Sequence, residues 1–164
     1  MKVNDDAREK LVEVVAGLTD EEVNWKPSKD KWSVRQILEH LYLMEGGVAK
    51  TIHSQLGSGE HHSTPDKPIE RAVDRTQKVE APDFARPGDT FCKLDELKSK
   101  LNESHNGLQK IEHTVPADQL EANSYPHPVF GEMSLAQYIP FVGYHELRHI
   151  EQIQEVKDAL HATK

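Results

Sequence analysis

Apolar side chains recur along this chain at intervals of three and four residues, which is the spacing of one face of an α-helix. Four such series, separated by polar or proline-containing stretches, cover about residues 7–18, 33–55, 90–114 and 134–160. No stretch shows the alternation of β-branched and polar residues that is typical of a half-buried strand. Because four helices with one apolar face each can bury those faces against one another, the sequence predicts an all-α four-helix bundle.

The boundaries of the predicted helices rest on capping residues and a proline. Ser33 precedes the second helix and Gln36 follows three residues later, and this Ser-x-x-Gln pattern is typical of a capping box. Ser134 and Gln137 repeat the pattern before the fourth helix. Pro140 lies inside the fourth series, where it removes a backbone donor, so we expect a kink near the start of that helix.

The segment 57–88 is polar and lacks the helical spacing. Four prolines interrupt it: Pro65, Pro68, Pro82 and Pro87. We predict a long loop between helices two and three, with a short helical turn around residues 69–75. Loops of this length are often functional lids or disordered segments, and the sequence leaves both open. We treat 1–164 as a single domain in which 57–88 is an insertion.

The charge and cysteine content exclude several classes of partner. Acidic residues outnumber basic ones by 28 to 20, a formal net charge of −8, which opposes binding to nucleic acid or anionic lipid. Cys92 is the only cysteine, so no intrachain disulfide can form, and this usage fits a reducing compartment. We see neither a secretory signal nor an apolar run of the roughly 20 residues that span a bilayer. We therefore expect a cytoplasmic protein without nucleic-acid or membrane partners.

Two histidines, His145 and His149, occupy the middle of the apolar series of the fourth helix. Four residues of helix turn through about 400°, so both rings project from one face, one turn apart, and can hold one ion. A buried ring without a partner would cost about 1–3 kcal/mol, and a metal ion would satisfy both rings. The alternative is that each ring forms a hydrogen bond across the core.

A third candidate ligand, His40, lies at the flank of the second helix's apolar series, three residues after Ile37. If helix two packs beside helix four, His40 can complete a three-histidine site whose remaining coordination positions are open. The alternative is a partly exposed residue at the edge of the core.

Residues 145–149 read His-Glu-Leu-Arg-His, the H-E-x-x-H pattern of zinc metalloproteases, in which the glutamate is the general base. The extended pattern, with a glycine and a third histidine, is absent, because Gln152 and Glu155 occupy those positions. A peptidase is therefore disfavoured, although Glu155 is an alternative third ligand. Glu146 is the candidate catalytic base, or else an acid that orients the ligands or lies on the helix surface.

The remaining reactive side chains are weaker candidates. His105 falls within the third apolar series, which predicts a hydrogen-bonded core residue, or alternatively a substitute ligand. His61 and His62 lie in the long loop, as a mobile surface pair or as part of a loop that closes over an ion. Cys92 is a small apolar residue rather than a nucleophile, since no base or cationic cluster is evident near it.

Two separated segments resemble the DinB/YfiT-like superfamily. The first contains Asn24-Trp25-Lys26-Pro27 and Lys31-Trp32-Ser33 and continues through Ile37-Leu38-Glu39-His40-Leu41. The second is Pro128-Val129-Phe130-Gly131-Glu132-Met133-Ser134, followed by Tyr144-His145-Glu146-Leu147-Arg148-His149-Ile150-Glu151-Gln152-Ile153. The resemblance extends from about Leu18 to Ile153 and excludes the loop 57–88.

This resemblance implies an up-down-down-up four-helix bundle, often a homodimer, in which His40, His145 and His149 bind zinc, nickel, manganese or another divalent ion. In characterised members the metal activates a low-molecular-weight thiol such as bacillithiol for transfer to an electrophile, or assists a hydrolytic or isomerising reaction. We therefore expect a metal-dependent thiol S-transferase that acts on a small electrophile, with Glu146 as its candidate catalytic residue. The alternatives are a metal-dependent hydrolase and a non-catalytic metal- or ligand-binding bundle.

Overall fold

The computed structural model describes residues 1–58 and 61–163, and most of them are helical. Four long helices of 14 to 28 residues pack side by side, which confirms the predicted all-α four-helix bundle. The elements are α1 (Lys2–Val15), α2 (Asp20–Asn24), α3 (Val34–Gly57), α4 (Leu94–Thr114), α5 (Ala117–Ala122), β1 (Ser124–His127), β2 (Gly131–Ser134) and α6 (Leu135–Ala162).

The two predicted capping boxes differ in the structure. At Ser33 the box is complete, because the hydroxyl accepts from the Gln36 N–H and the Gln36 side chain accepts from the Ser33 N–H. At Ser134 only the first bond forms, from the Gln137 N–H at 3.2 Å. The Gln137 side chain instead bonds the backbone N–H and carbonyl of Lys67, at 2.7 and 2.9 Å. Gln137 therefore ties the connection between α3 and α4 to the start of α6.

Three short elements were absent from the sequence prediction: α2, α5 and the β1–β2 hairpin. The expectation of no strand was wrong, because β1 and β2 pair antiparallel with Ser124 opposite Ser134 and His127 opposite Gly131. Each strand has four residues, too few for a period of two to stand out in the sequence. The hairpin leads directly into α6 and so fixes where that helix begins.

Two helix ends also differ from the prediction by a few residues. The first helix ends at Val15, ahead of the predicted end near 17–20, and Gly17 follows with φ +82°, a conformation that glycine adopts without steric cost. The third long helix begins at Leu94 rather than near residue 90.

The packing of α6 against α1 and α3 positions the candidate site. Gly143 allows α1 to approach closely, because a Cβ at this position would lie 2.9 Å from the backbone nitrogen of Asn4. On its other side α6 contacts α3, which in turn packs on α4. The core beside the site contains buried residues from all four long helices, among them Leu11, Ile37, Leu38, Leu97 and Ile153.

The connection between α3 and α4 carries two 3-10 turns that lie against the bundle. The predicted turn near 69–75 is present at Ile69–Val73 and packs on α6, whereas a second turn, Asp83–Ala85, packs on α3. Arg148 of α6 holds the first part of this connection by donating to the carbonyls of Ala72, Asp74 and Gln77. In the described ranges no helix has the length and apolar character to cross a membrane.

Candidate metal centre

Three histidines from two neighbouring helices converge in the bundle. His40 comes from α3, and His145 and His149 come from successive turns of α6. The Nε2 atom of His145 lies 3.1 Å from Nε2 of His40 and 3.2 Å from Nε2 of His149. One ligand atom from each ring lies within 4.8 Å of the others, so the three side chains could hold one metal ion.

The hydrogen bonds on the far side of two rings assign their tautomers. Nδ1–H of His40 donates to the Ala85 carbonyl at 2.8 Å, and Nδ1–H of His149 donates to the Gln152 side-chain oxygen at 2.7 Å. Each neutral ring therefore directs the lone pair of Nε2 at His145. A single proton on His145 Nε2 cannot satisfy both neighbours well, whereas a cation in the centre would satisfy all three nitrogens.

The two distances from His145 Nε2 to the other ligand nitrogens agree with those around a first-row divalent ion. With metal–nitrogen bonds of about 2.0–2.1 Å, neighbouring ligands lie roughly 3.3–3.4 Å apart in a tetrahedron and roughly 2.8–3.0 Å apart in an octahedron. The observed 3.1 and 3.2 Å fall between these values. Imidazole ligands suit zinc and nickel among others, so the donor set leaves the identity of the ion open.

Burial keeps the three rings in the neutral form that binds metal. It lowers the pKa of His40, although the hydrogen bond to Ala85 opposes the shift. Burial, reinforced by the charges of the other two histidines, lowers the pKa of His145 well below its ordinary value. Burial, reinforced by His40, lowers the pKa of His149 to about 3. The rings therefore need no net loss of a proton at neutral pH, and an ion held by all three Nε2 atoms requires only that the His145 proton lie on Nδ1.

Aromatic rings surround the three histidines. The ring of Trp32 lies 5.2 Å from that of His40, and the ring of Phe141 lies 5.9 Å from that of His145. His127, at the end of β1, packs edge-on against Phe141 at 4.6 Å. Trp32 and Phe141 help to bury the cluster, and burial strengthens electrostatic interactions within it.

His127 is a polar residue near the site that the sequence analysis did not single out. Its Nδ1 accepts from the backbone N–H groups of Val129 and Phe130, at 3.0 and 3.2 Å, so the proton of the neutral ring is on Nε2. Burial lowers its pKa to about 4. No sequence signal marked this residue, because its position depends on the short hairpin.

Glu146, the candidate base, faces a different set of partners. Arg8 of α1 donates to both carboxylate oxygens, from Nε at 3.1 Å and from Nη2 at 2.8 Å. Arg8 also donates to Glu45 of α3 at 3.0 Å and to the carbonyl of Leu101 at 2.8 Å. Glu146 is 3% exposed and Glu45 is 1% exposed. The three charged residues form a buried network that joins α1, α3 and α6, and base catalysis by Glu146 stays a prediction.

The two carboxyl groups of this network differ in acidity. Burial raises the pKa of Glu146, and the Arg8 guanidinium only partly opposes this. Burial acts on Glu45 in the same direction, but His105, Arg8 and the Ser104 hydroxyl together lower its pKa below the ordinary value. Glu45 therefore carries the firmer negative charge.

Comparison with known proteins places the chain in a family. The family model described as the DinB superfamily matches residues 4–153. The chain belongs to the DinB superfamily. This membership confirms the resemblance seen in the two sequence segments, and the match includes all three histidines and most of the bundle, ending nine residues before the end of α6.

Individual relatives agree with this membership. The chain is 31% identical over 160 residues to “Uncharacterized protein YuaE” of Bacillus subtilis, which covers 98% of each chain. It is 25% identical over 145 residues, 88% of this chain and 76% of the other, to “Putative metal-dependent hydrolase OB0413” of Oceanobacillus iheyensis.

Solved structures share the fold. TT2238, described as a four-helix bundle protein, superposes with a TM-score of 0.62 at 17% identity and covers 94% of each chain. YfiT from Bacillus subtilis, described as “a probable metal-dependent hydrolase with an unusual four-helix bundle topology”, gives a TM-score of 0.64 at 17% identity, over 98% of this chain and 85% of its own.

The other residues considered for this DinB protein's site lie elsewhere. Glu155 is a surface residue paired with Arg75 at 2.7 Å. His61 and His62 are exposed in the connection after α3. Cys92 lies near the Glu96 carboxylate, and burial together with Glu96 raises the pKa of its thiol, which agrees with the expectation that it is not a nucleophile.

His105 belongs to the buried charged network rather than to the histidine cluster. Its Nε2 lies 2.9 Å from Asp5 and its Nδ1 lies 3.6 Å from Glu45, and these carboxylates raise its pKa against the effect of burial. The sequence predicted a hydrogen-bonded core residue; His105 does bond to Asp5, but at 15% side-chain exposure it lies at the edge of the core.

Proposed function

We propose that this DinB protein is a divalent-metal-dependent transferase that joins a low-molecular-weight thiol to a small electrophile. His40, His145 and His149 are the proposed ligands, and zinc, nickel and manganese are the candidate ions. The observation that carries the proposal is the convergence of three Nε2 atoms between α3 and α6, where Nε2 of His145 lies 3.1 Å from that of His40 and 3.2 Å from that of His149.

Three protein ligands leave coordination positions for a substrate. When bound, an ion in such a site lowers the pKa of a thiol or a water molecule beside it and so supplies a nucleophile near neutral pH. The chain's own contribution is to hold the rings neutral by burial and to orient His40 and His149 through their Nδ1 hydrogen bonds. Trp32 and Phe141 supply apolar surface beside the reacting groups.

A thiol is favoured because it needs little help from a protein base. Among residues 1–58 and 61–163, the only cluster that could hold a metal contains histidines alone, and both oxygens of Glu146 are engaged by Arg8. A thiol coordinated to an ion held by the three histidines would be deprotonated without a protein base. In the proposed reaction its proton passes to solvent, its sulfur forms the new bond to carbon, and the leaving group departs with the bonding electrons.

Hydrolysis of a small substrate is the second candidate. Two similar proteins favour it: the relative OB0413 and the solved structure YfiT are both described as metal-dependent hydrolases. The same three-histidine arrangement suits activation of water.

Product analysis distinguishes these reactions. Protein purified without a histidine tag is loaded in turn with zinc, nickel and manganese and incubated with an electrophile, with and without several small thiols. A thioether that forms only with metal and thiol supports the transferase, whereas a hydrolysed product that forms without thiol supports the hydrolase. If no product forms with any of the three metals, both catalytic proposals are wrong and a non-catalytic binding protein is favoured.

Variants of two histidines on α6 provide the matched comparison. His149→Ala removes a proposed ligand and is expected to abolish both metal retention and turnover. His161→Ala changes an exposed histidine in the last turn of the same helix and should leave both unchanged. Equal metal content in the two variants would contradict the proposed ligand set.

The remaining parts of the proposal are a homodimer and a cytoplasmic location. Light scattering of the purified protein tests the dimer, which would have about twice the 18.6 kDa mass of one chain.

A further inference from the structure

Residues 83–89 cross the face of α3 that carries His40. The turn Asp83–Ala85 contacts α3, and Ala85 is fully buried although the neighbouring Phe84 is 56% exposed. The carbonyl of Ala85 is the acceptor that assigns the His40 tautomer, at 2.8 Å from Nδ1. The position of one loop carbonyl therefore decides which nitrogen of His40 faces the other two histidines.

Gly47 is the position on α3 against which the Phe84 ring of this loop packs. A Cβ at residue 47 would lie 2.3 Å from Cε2 of Phe84 and 2.9 Å from Cδ2, so the ring rests directly on the glycine backbone. A Cβ on the preceding Gly46 would meet nothing within 4 Å. Gly47 lies seven residues after His40, about two turns along the same face of the helix. Phe84 and Ala85, adjacent in sequence, thus contact both positions.

The other end of the segment is anchored by polar bonds at Gly88. Its carbonyl accepts from Arg35 and from the Gln36 side chain, and its N–H donates to Glu39 at 3.3 Å. Arg35 and Gln36 are both buried. Ala85 is therefore held between an apolar anchor one residue before it and a polar anchor three residues after it.

We propose that Gly47 and Phe84 are positioning residues for the metal centre, which they serve by placing the Ala85 carbonyl against His40. The inference rests on the proposed metal site. A Cβ at residue 47 would displace the Phe84 ring from α3, and in this proposal the adjacent Ala85 carbonyl shifts with the ring. Hydrogen bonds of this kind to a metal-binding histidine typically change metal affinity by about 10–100-fold when they are lost.

The first measurement is the tautomer of His40 in metal-free protein, read from the ¹⁵N chemical shifts of its two ring nitrogens. The wild type is expected to show the Nδ1–H form alone, and Gly47→Ala and Phe84→Ala should each show a mixture. Gly46→Ala is the matched control, since it makes the same change one residue away in open space, and should keep the single form. A single Nδ1–H form in Gly47→Ala would overturn the proposal.

The second measurement is zinc affinity by competition with a chromophoric chelator. We expect binding about 10–100-fold weaker in Gly47→Ala and Phe84→Ala than in the wild type and Gly46→Ala. In the double variant Gly47→Ala/Phe84→Ala no ring remains to be displaced, so its affinity should equal that of Phe84→Ala. An additive loss in the double variant, or wild-type affinity in Phe84→Ala, would overturn the proposal.

The two measurements also separate this inference from the proposed function. If the wild type binds no zinc, nickel or manganese, the proposed function fails, while the tautomer comparison in metal-free protein still decides the role of Gly47 and Phe84. If Gly47→Ala does not fold, Phe84→Ala decides alone, because it removes side-chain atoms and adds none.

Discussion

Replacing Arg8 by methionine is the most direct test of the buried charged network. The change keeps a side chain of similar length but removes all four hydrogen bonds that the guanidinium donates, to Glu146, Glu45 and the Leu101 carbonyl. Both carboxylates then remain buried, at 3% and 1% exposure, without a cation. Removing one partner of a buried pair costs about 3–5 kcal/mol. At about 2–4 °C per kcal/mol for a domain of this size, the melting temperature should fall by roughly 6–20 °C.

Thermal and denaturant unfolding measure this loss, with two variants for comparison. Lys2→Met breaks an exposed pair with Asp6, whose side chains are 89% and 55% exposed, and should cost less than about 1 kcal/mol. Replacing Arg8, Glu45 and Glu146 together by methionine removes the three buried charges of the ion pairs and should recover most of the loss. If Arg8→Met destabilised no more than Lys2→Met, the network would not contribute as we infer.

Three further predictions concern the metal, the packing and the pH. Zinc at 100 times its dissociation constant should stabilise metal-free protein by about 2.7 kcal/mol, and a similar gain in His149→Ala would contradict the site. Gly143→Ala should cost about 1–3 kcal/mol, because the new Cβ would lie 2.9 Å from Asn4, whereas Gly107→Ala, in open space, should not destabilise. Burial lowers the pKa of His127 from 6.5 to about 4, so the unfolded chain binds this proton first and stability falls as pH drops through that window. His127→Asn should therefore lose less stability between pH 6.5 and 4, by under about 1.4 kcal/mol per pH unit because the ring is only partly buried, and an unchanged slope would contradict this.

Glu146 illustrates how a sequence motif and a structure can give one residue different roles. The H-E-x-x-H spacing places the glutamate about 100° around the helix from His145, so the local geometry leaves it at the flank of the histidine face. The structure adds Arg8, from a helix 138 residues away in the chain, which binds both carboxylate oxygens. The pattern alone predicts a base, whereas the ion pair favours a role in holding α1 and α6 together.

The sequence by itself determined the features that depend on neighbouring residues. Helical spacing predicted the four long helices and put His145 and His149 on one face, and the capping box at Ser33 marked the start of α3. These features could be read because a helix repeats every 3.6 residues and its caps lie within one turn.

Only the tertiary structure decided which distant residues meet. It brought His40 beside the α6 pair, set Ala85 against the ring of His40, and placed His127 near the site through a hairpin too short to be recognised. The side on which one helix packs against another depends on the fit of all the buried side chains together, and no local period along the chain records that fit.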